Sequence, residues 1–363
     1  MRIAFFGSSL VSAYWNGAAT YYRGMLKALA ALGHCITFYE PDAFERQQHR
    51  DIEQPTWAQV VVYPATAQSW QRALTRAARE SDLLVKASGV GVFDAELEQA
   101  VPAIRGSQTT IVYWDVDAPA TLESIAESPS HHLREVIPQY DFVLTYGGGD
   151  AVVNAYRQLG AKVCVPIYNA LDATTHFPVV PQERFSCDLG FLGNRLPDRE
   201  ERVEEFLLKA ALLSPNHAFL LGGAGWDDKT LPGNVRKAGH VGTGEHNAFF
   251  CSSVATLNIN RASMARYGFS PPTRIFEAAG TGACLISDAW SGLEYFLEPG
   301  REILVSERGE DVAEFVAKLN CGQAHRIGQA ARRRVLSHHT YAHRARQVND
   351  ILDASVLQGD VAA

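Results

Sequence analysis

Short apolar runs alternate with helix-period stretches along almost the whole chain, and that alternation leaves few folds open. The first run, Ile3 to Phe6, is four apolar residues closed by Gly7, the pattern of a strand buried on both faces of a parallel sheet. A helix is expected from Asn16 or Gly17. Ala18, Tyr22, Met25, Leu29 and Leu32 recur at steps of three and four until Gly33 supplies a left-handed stop. Further strands are expected at 35–39, 60–63, 83–88, 110–115, 142–146 and 162–166, with helices near 67–80 and 150–159. After the Pro-rich passage HFPVVPQERF the rhythm restarts, with strands at 187–192, 218–223, 254–259 and 284–287 and helices at 199–212 and after Ser270.

Such alternation predicts an α/β protein with doubly wound parallel sheets. The 363 residues suit two Rossmann-like domains, each able to bury its own core. The expected division is an N-terminal domain over 1–172, a linker over 173–186 and a second domain over 187–339. A terminal helix and tail, 340–363, would pack back on the first domain. Two such domains facing each other would leave a cleft at the carboxyl ends of their sheets, where open α/β folds bind ligands.

Composition removes several classes. With 33 basic and 40 acidic residues the net charge is −7, so no basic field draws in nucleic acid or an anionic membrane. No run approaches the length of a bilayer crossing, and MRIAFFGSSL lacks the longer apolar region of a signal peptide. Six cysteines at 35, 164, 187, 251, 284 and 321 show no paired spacing. Those in apolar runs, Cys35-Ile36 and Ala283-Cys284-Leu285, read as small buried hydrophobes, which suits a reducing cytoplasm. Twelve histidines include no HExxH, so no metal site is expected and the histidines read as surface or structural. Gly-x-Gly-x-x-Gly is absent after Gly7, which argues against a dinucleotide enzyme.

The stretch SPPTRIFEAAGTGACLIS, 270–287, carries the sharpest local chemistry. Ser270 is expected to cap a helix with Pro271 at its first position. The free N–H groups and the positive dipole end then make an anion site fit for a diphosphate. Arg274 and Glu277 lie three residues apart on one side. Glu277 would accept hydrogen bonds from a ribose diol while Arg274 or Thr273 meets phosphate. An exposed ion pair, worth only ~0.2–0.5 kcal/mol, explains the two residues equally well on local grounds.

The longer run RIFEAAGTGACLISDAWSGLEYFLEPGREILV resembles the donor-binding segment of GT-B glycosyltransferases, and in particular the CgeB-like glycosyltransferases. The resemblance extends to the opening IAFFGSSLVSAYWNGAATYYRGMLKALAALGH, to YWDVDAP at 113–119, to YNALDATTHFP and to GFLGNRLPDREERVEEF. It departs from the pattern at Tyr267-Gly268-Phe269-Ser270, the neighbourhood where many retaining members place a second Glu, and at Tyr168-Asn169-Ala170 in place of Pro-Asn-Gly.

The resemblance implies a metal-independent transferase that takes a nucleoside-diphosphate sugar, a UDP-sugar before others, as co-substrate. Its acceptor would be a small molecule, glycan or protein. Glu277 would hold the ribose. Arg195 or Arg199, with Gly193 and Asn194 of the loop after a strand, would meet the diphosphate, and Trp226 would stack on a base or sugar. In the first domain Asn16 and Gly17 sit in a long Ser/Gly-rich loop, where exposing Tyr14 and Trp15 would be costly. Tyr146 and Gly147 of TYGGGD permit close backbone approach to a ligand. Asp115 or Asp117, after a buried strand, would manage the acceptor hydroxyl. For one of the two, a turn role beside Pro119 is the plainer reading. A non-hydrolysing nucleotide-sugar epimerase and an inactive nucleotide-binding scaffold share the same architecture.

Overall fold

Val, Leu, Ile and aromatic side chains fill both faces of the strand runs, and the chain assembles them into two parallel sheets. The computed structural model describes residues 1–14 and 16–361; Trp15 lies outside them. The chain divides into two units, Met1–Tyr168 together with the segment from Tyr341 onward, and Asn169–Thr340.

The first unit holds β1 (Arg2–Phe6), β2 (Cys35–Asp42), β3 (Ala58–Pro64), β4 (Leu83–Ala87), β5 (Thr110–Asp115), β6 (Phe142–Thr145) and β7 (Cys164–Pro166). They form one sheet in the order β3-β2-β1-β4-β5-β6-β7, parallel at every pairing. The winding reverses between β1 and β4, so the loops leaving those strands flank a topological switch point. Phe5 anchors the core beneath, its ring 5.4 Å from Tyr22, 5.5 Å from Phe38 and 5.8 Å from Trp114.

The second unit repeats the plan with β8 (Cys187–Leu192), β9 (Phe219–Gly222), β10 (Val235–Gly239), β11 (Ser253–Asn258), β12 (Cys284–Asp288) and β13 (Leu304–Ser306). The order is β10-β9-β8-β11-β12-β13, again parallel throughout. Here the switch point falls between β8 and β11. Leu189, Phe191, Phe219, Leu257 and Ile286 form the core with Trp226. The two outer strands were not anticipated. β10 reads VRKAG with exposed Arg236 and Lys237, and β13 is three residues long; edge strands carry no sustained apolar run.

Several boundaries differ from expectation. The chain passes between the units at Tyr168 and Asn169, and 173–186, expected as a linker, lies inside the second unit. Asn169 and Leu171 explain the shift. The Asn169 Nδ2 donates to the Pro271 carbonyl at 2.8 Å, and the Leu171 N–H donates to the His339 carbonyl at 2.8 Å. The terminal helix, Tyr341–Val361, packs in the first unit along the helix Ala19–Ala31. Gly24 admits it, since a Cβ there would lie 2.1 Å from the Tyr341 ring. No cysteine is disulfide-bonded. Cys35, expected inside, is exposed because it opens β2 at the sheet's end. Cys164, Cys187 and Cys284 are buried, and burial pushes each thiol up to about 12. Among the described residues no helix is long and apolar enough to cross a membrane.

Candidate functional site

At the carboxyl end of the second sheet, the helix Thr273–Thr281 starts two residues later than its sequence suggested. Its N-cap is Pro272, and no side chain caps it. Ser270 instead donates its hydroxyl to the Gly268 carbonyl at 2.9 Å. The cause is steric. A residue before proline is driven out of the helical region, so Pro271 and Pro272 hold Ser270 and Pro271 extended, and Thr273 becomes the first helical residue. Almost every side chain of this helix is buried, Ile275, Phe276 and Ala279 against the core.

Arg274 and Glu277 do not form the surface ion pair considered above. Arg274 turns under the sheet, where Nε donates to the Leu192 carbonyl at 2.6 Å and Nη1 to Asn258 Oδ1 at 2.8 Å. Its guanidinium lies over the Phe191 ring, 4.9 Å from the centroid. Nη2 has no acceptor among the described residues. Burial, and next the like charge of Arg199, pull the Arg274 pKa down to about 9. The two guanidiniums converge on the loop after β8. A Cβ on Gly193 would lie 2.8 Å from Arg274 Nη2 and 3.2 Å from Arg199 Nη1, so any larger residue would push on both guanidiniums. Arg199 itself donates to the Asn194 carbonyl at 3.1 Å.

Glu277 is 7% exposed, and no group among the described residues donates a hydrogen bond to its carboxylate. His176 and His246 stand beside it, and the potential ligand atoms of the three residues all lie within 4.8 Å of one another. Burial lowers the His246 pKa, opposed chiefly by Glu277. Positions 176 and 246 are 70 apart, and nothing in local spacing could have joined them. The expectation that the histidines hold no metal spacing compared sequence neighbours alone.

Other donor-side candidates are spent on structure. Arg195 donates Nε and Nη2 to Glu200 at 2.8 and 2.6 Å and Nη1 to Asp228 at 2.8 Å. Its charge is answered there, and its side chain, aided by Lys229, draws Glu200 down to about 2. Trp226, expected as a stacking platform, is 3% exposed in the core and donates Nε1 to the Gly193 carbonyl at 2.8 Å. Asn194 accepts from the Ala224 N–H at 3.0 Å. These three residues clasp the loops after β8 and β9 together. Sequence reasoning missed Asn258, Asn260 and Asp288, which are fully buried at the ends of β11 and β12. Asp288 pairs with Arg202 and accepts from the Asn260 N–H, and the Asn260 Nδ2 donates to the Ser270 carbonyl at 3.3 Å. That network fixes the approach to the 273–281 helix.

In the first unit Asp115 and Glu40 are saturated, whereas the buried Oδ1 of Asp117 has no hydrogen bond among the described residues. Asp115, fully buried, accepts at Oδ1 from Ser88 Oγ at 2.7 Å, the Asp117 N–H at 3.0 Å and Thr121 Oγ1 at 3.0 Å, and at Oδ2 from the Tyr156 hydroxyl. Burial raises its pKa, and the Tyr156 and Ser88 hydroxyls oppose the rise. Asp115 ties the end of β5 to its neighbours. Asp117 precedes the helix Ala118–Glu127 and is half-buried. Asn16 spends its side chain inside the loop after β1, accepting from Ser8 Oγ at 2.9 Å and donating to the Ser9 and Ser12 carbonyls. The helix therefore begins at Ala19 rather than at Asn16 or Gly17, and Gly17 is exposed. Glu40, at the end of β2, holds the same loop by accepting from the Leu10 N–H at 2.6 Å and Ser9 Oγ at 3.0 Å. Tyr146 packs on the Tyr21 ring at 5.5 Å. Gly147 is buried, its carbonyl accepting from Thr145 Oγ1 at 3.0 Å.

These two wound units match known proteins. A family model described as glycosyl transferase-like matches residues 199–350. The chain is similar in fold to sucrose-phosphate synthase from Thermosynechococcus elongatus, at 13% identity and TM-score 0.71, covering 99% of this chain and 100% of that one. It is also similar to Anabaena HepE in complex with UDP and glucose, at 14% identity and TM-score 0.67, covering 98% and 100%. An alpha-glucosyltransferase in complex with UDP gives 12% identity and TM-score 0.71, covering 97% and 100%. No curated protein matches by sequence. The fold is that of the GT-B glycosyltransferases.

Proposed function

We propose that this chain is a glycosyltransferase of the CgeB-like kind. It would move a sugar from a nucleoside-diphosphate donor, a UDP-sugar before others, to an acceptor hydroxyl, with no metal ion in the reaction. The observation that carries this reading is the pairing of opposites at one strand end. Two guanidiniums are held together against their mutual repulsion at Gly193, close to the same helix that buries an unanswered carboxylate, Glu277. A nucleoside diphosphate meets both needs. Its phosphates neutralise Arg199 and Arg274 Nη2 beside the N–H groups at Thr273, and its ribose diol donates to Glu277.

The same groups bear on the chemistry. As the bond from sugar to diphosphate breaks, negative charge gathers on the leaving phosphate, and the guanidiniums and helix end answer it where it develops. The acceptor oxygen forms the new bond and gives up its proton. Asp115 is already committed to four donors, so Asp117 is assigned to that hydroxyl. Support for uracil as the base comes from the UDP named in the HepE and alpha-glucosyltransferase structures. A cytoplasmic enzyme acting on a small molecule, glycan or protein fits the composition.

The test is a thermal-shift screen of UDP, GDP, TDP and ADP with their sugars, repeated on Glu277→Ala. UDP is expected to stabilise the parent and to lose most of that effect in the variant. An equal shift in both proteins would remove Glu277 from the ribose. Incubating the donor alone separates transfer from epimerisation, since the sugar should then stay unchanged.

A further inference from the structure

Three groups around the 273–281 helix, His176, His246 and Glu277, bring potential ligand atoms within 4.8 Å of one another. Glu277 supplies a carboxylate. His176 is 7% exposed, and its buried Nε2 has no partner; the buried Nδ1 of His246 has none either. Thr175 Oγ1 lies 3.0 Å from His176 Nδ1 and 3.1 Å from the Asp172 carbonyl, so with an ion on Nε2 the His176 Nδ1 would carry the proton and donate it to Thr175 Oγ1. Each buried polar atom left without a partner costs free energy. A ribose diol has two hydroxyl protons, enough for the carboxylate but not for two imidazoles as well.

We propose that His176 Nε2, His246 Nδ1 and the Glu277 carboxylate bind a zinc-class divalent ion at a site that overlaps the ribose position, so that ion and nucleotide exclude one another. The overlap rests on the ribose role given to Glu277 above; the ion site does not. Two imidazoles and one carboxylate form a set of borderline ligands that suits zinc, cobalt or nickel rather than magnesium or calcium, which favour all-oxygen cages. One coordination position remains for water. Tetrahedral bonds of ~2.0–2.1 Å place ligand atoms about 3.4 Å apart, so a modest turn of the Glu277 side chain closes the present spread of up to 4.8 Å. Thr175 Oγ1 already stands behind the His176 ring at 3.0 Å from Nδ1, where the outer partner of a metal-bound histidine sits. The consequence is an inhibitory site: a trace metal would occupy the enzyme's own ribose acid.

Cobalt titration of the full chain tests this, read by the visible absorption of tetrahedral Co(II), with zinc as competitor. The parent is expected to give a saturable band that zinc abolishes and UDP reduces. His176→Ala and His246→Asn, read separately so that a folding failure in one leaves the other, should each lose the band while keeping a UDP thermal shift. Thr175→Val retains all three ligands, and its cobalt affinity should still fall about tenfold or more. Absence of a band in the parent, with UDP binding intact, overturns the ion site and leaves the ribose role standing. A band that persists while UDP binds the cobalt-loaded protein at unchanged affinity overturns the overlap, and the ribose role of Glu277 with it.

Discussion

The two units are wound alike, yet Asp115 and Glu40 in the first meet a full set of donors while Glu277, on a helix of the second, meets none among the described residues. In the first unit Asp115 accepts from four donors and Glu40 from at least three, Leu10, Ser9 and Gln47. Each pins a loop. In the second unit Glu277 is 7% exposed and no described residue donates a hydrogen bond to it, while Arg199 and Arg274 crowd each other at Gly193. A buried polar group left unanswered costs free energy, and a fold retains one where something else answers it. The comparison teaches where to look for a ligand. Saturated carboxylates mark scaffold, and unsaturated ones mark a site.

The largest expected effect tests the scaffold half. Asp115→Ala should lower the unfolding free energy by roughly 3–5 kcal/mol, because each stranded buried donor costs ~1–3 kcal/mol; urea titration measures it. A variant as stable as the parent but inactive would return Asp115 to the chemistry and break the comparison. Next, Arg199→Met should weaken UDP binding about thirtyfold, ~2 kcal/mol for a lost charge-assisted bond, and leave uridine binding unchanged. Calorimetry on both ligands reads the difference, and an equal loss for uridine would contradict a phosphate role.

Glu277→Gln is expected to weaken UDP about tenfold, ~1.4 kcal/mol, while the melting temperature without ligand holds or rises, because an unanswered buried charge has gone. A clear fall in that temperature would mean Glu277 is scaffold after all. The smallest effect sharpens the contrast inside the second unit. Trp226→Phe should cost ~1 kcal/mol of stability for its lost bond to Gly193 and should not change UDP affinity. A large loss of affinity would reinstate Trp226 as a stacking surface.

Much of the architecture was legible because parallel strands buried on both faces must be apolar over four to six residues, and Ile3 to Phe6 or Cys187 to Leu192 can be little else. The edge strands β10 and β13 escaped because an edge needs no such run. Within the site, Arg274 and Glu277 were visible from their place after two prolines. Their partners were not. Leu192, Asn258, His176 and His246 reach them only through the fold, and local spacing carries no trace of contacts across 16 to 82 positions, as between Arg274 and Asn258 or Leu192. Arg195 and Trp226 show a different gap, since a sequence shows a guanidinium or an indole but not whether Glu200, five positions on, or Gly193 has already claimed it.

By itself, then, the sequence determined two wound sheets, the loops at their carboxyl ends and the residue types offered there. Only the tertiary structure decided which of those residues are already paired. Hydrophobic periodicity is a local property written along the chain, whereas the satisfaction of a buried polar group depends on which distant atoms the fold brings within about 3 Å.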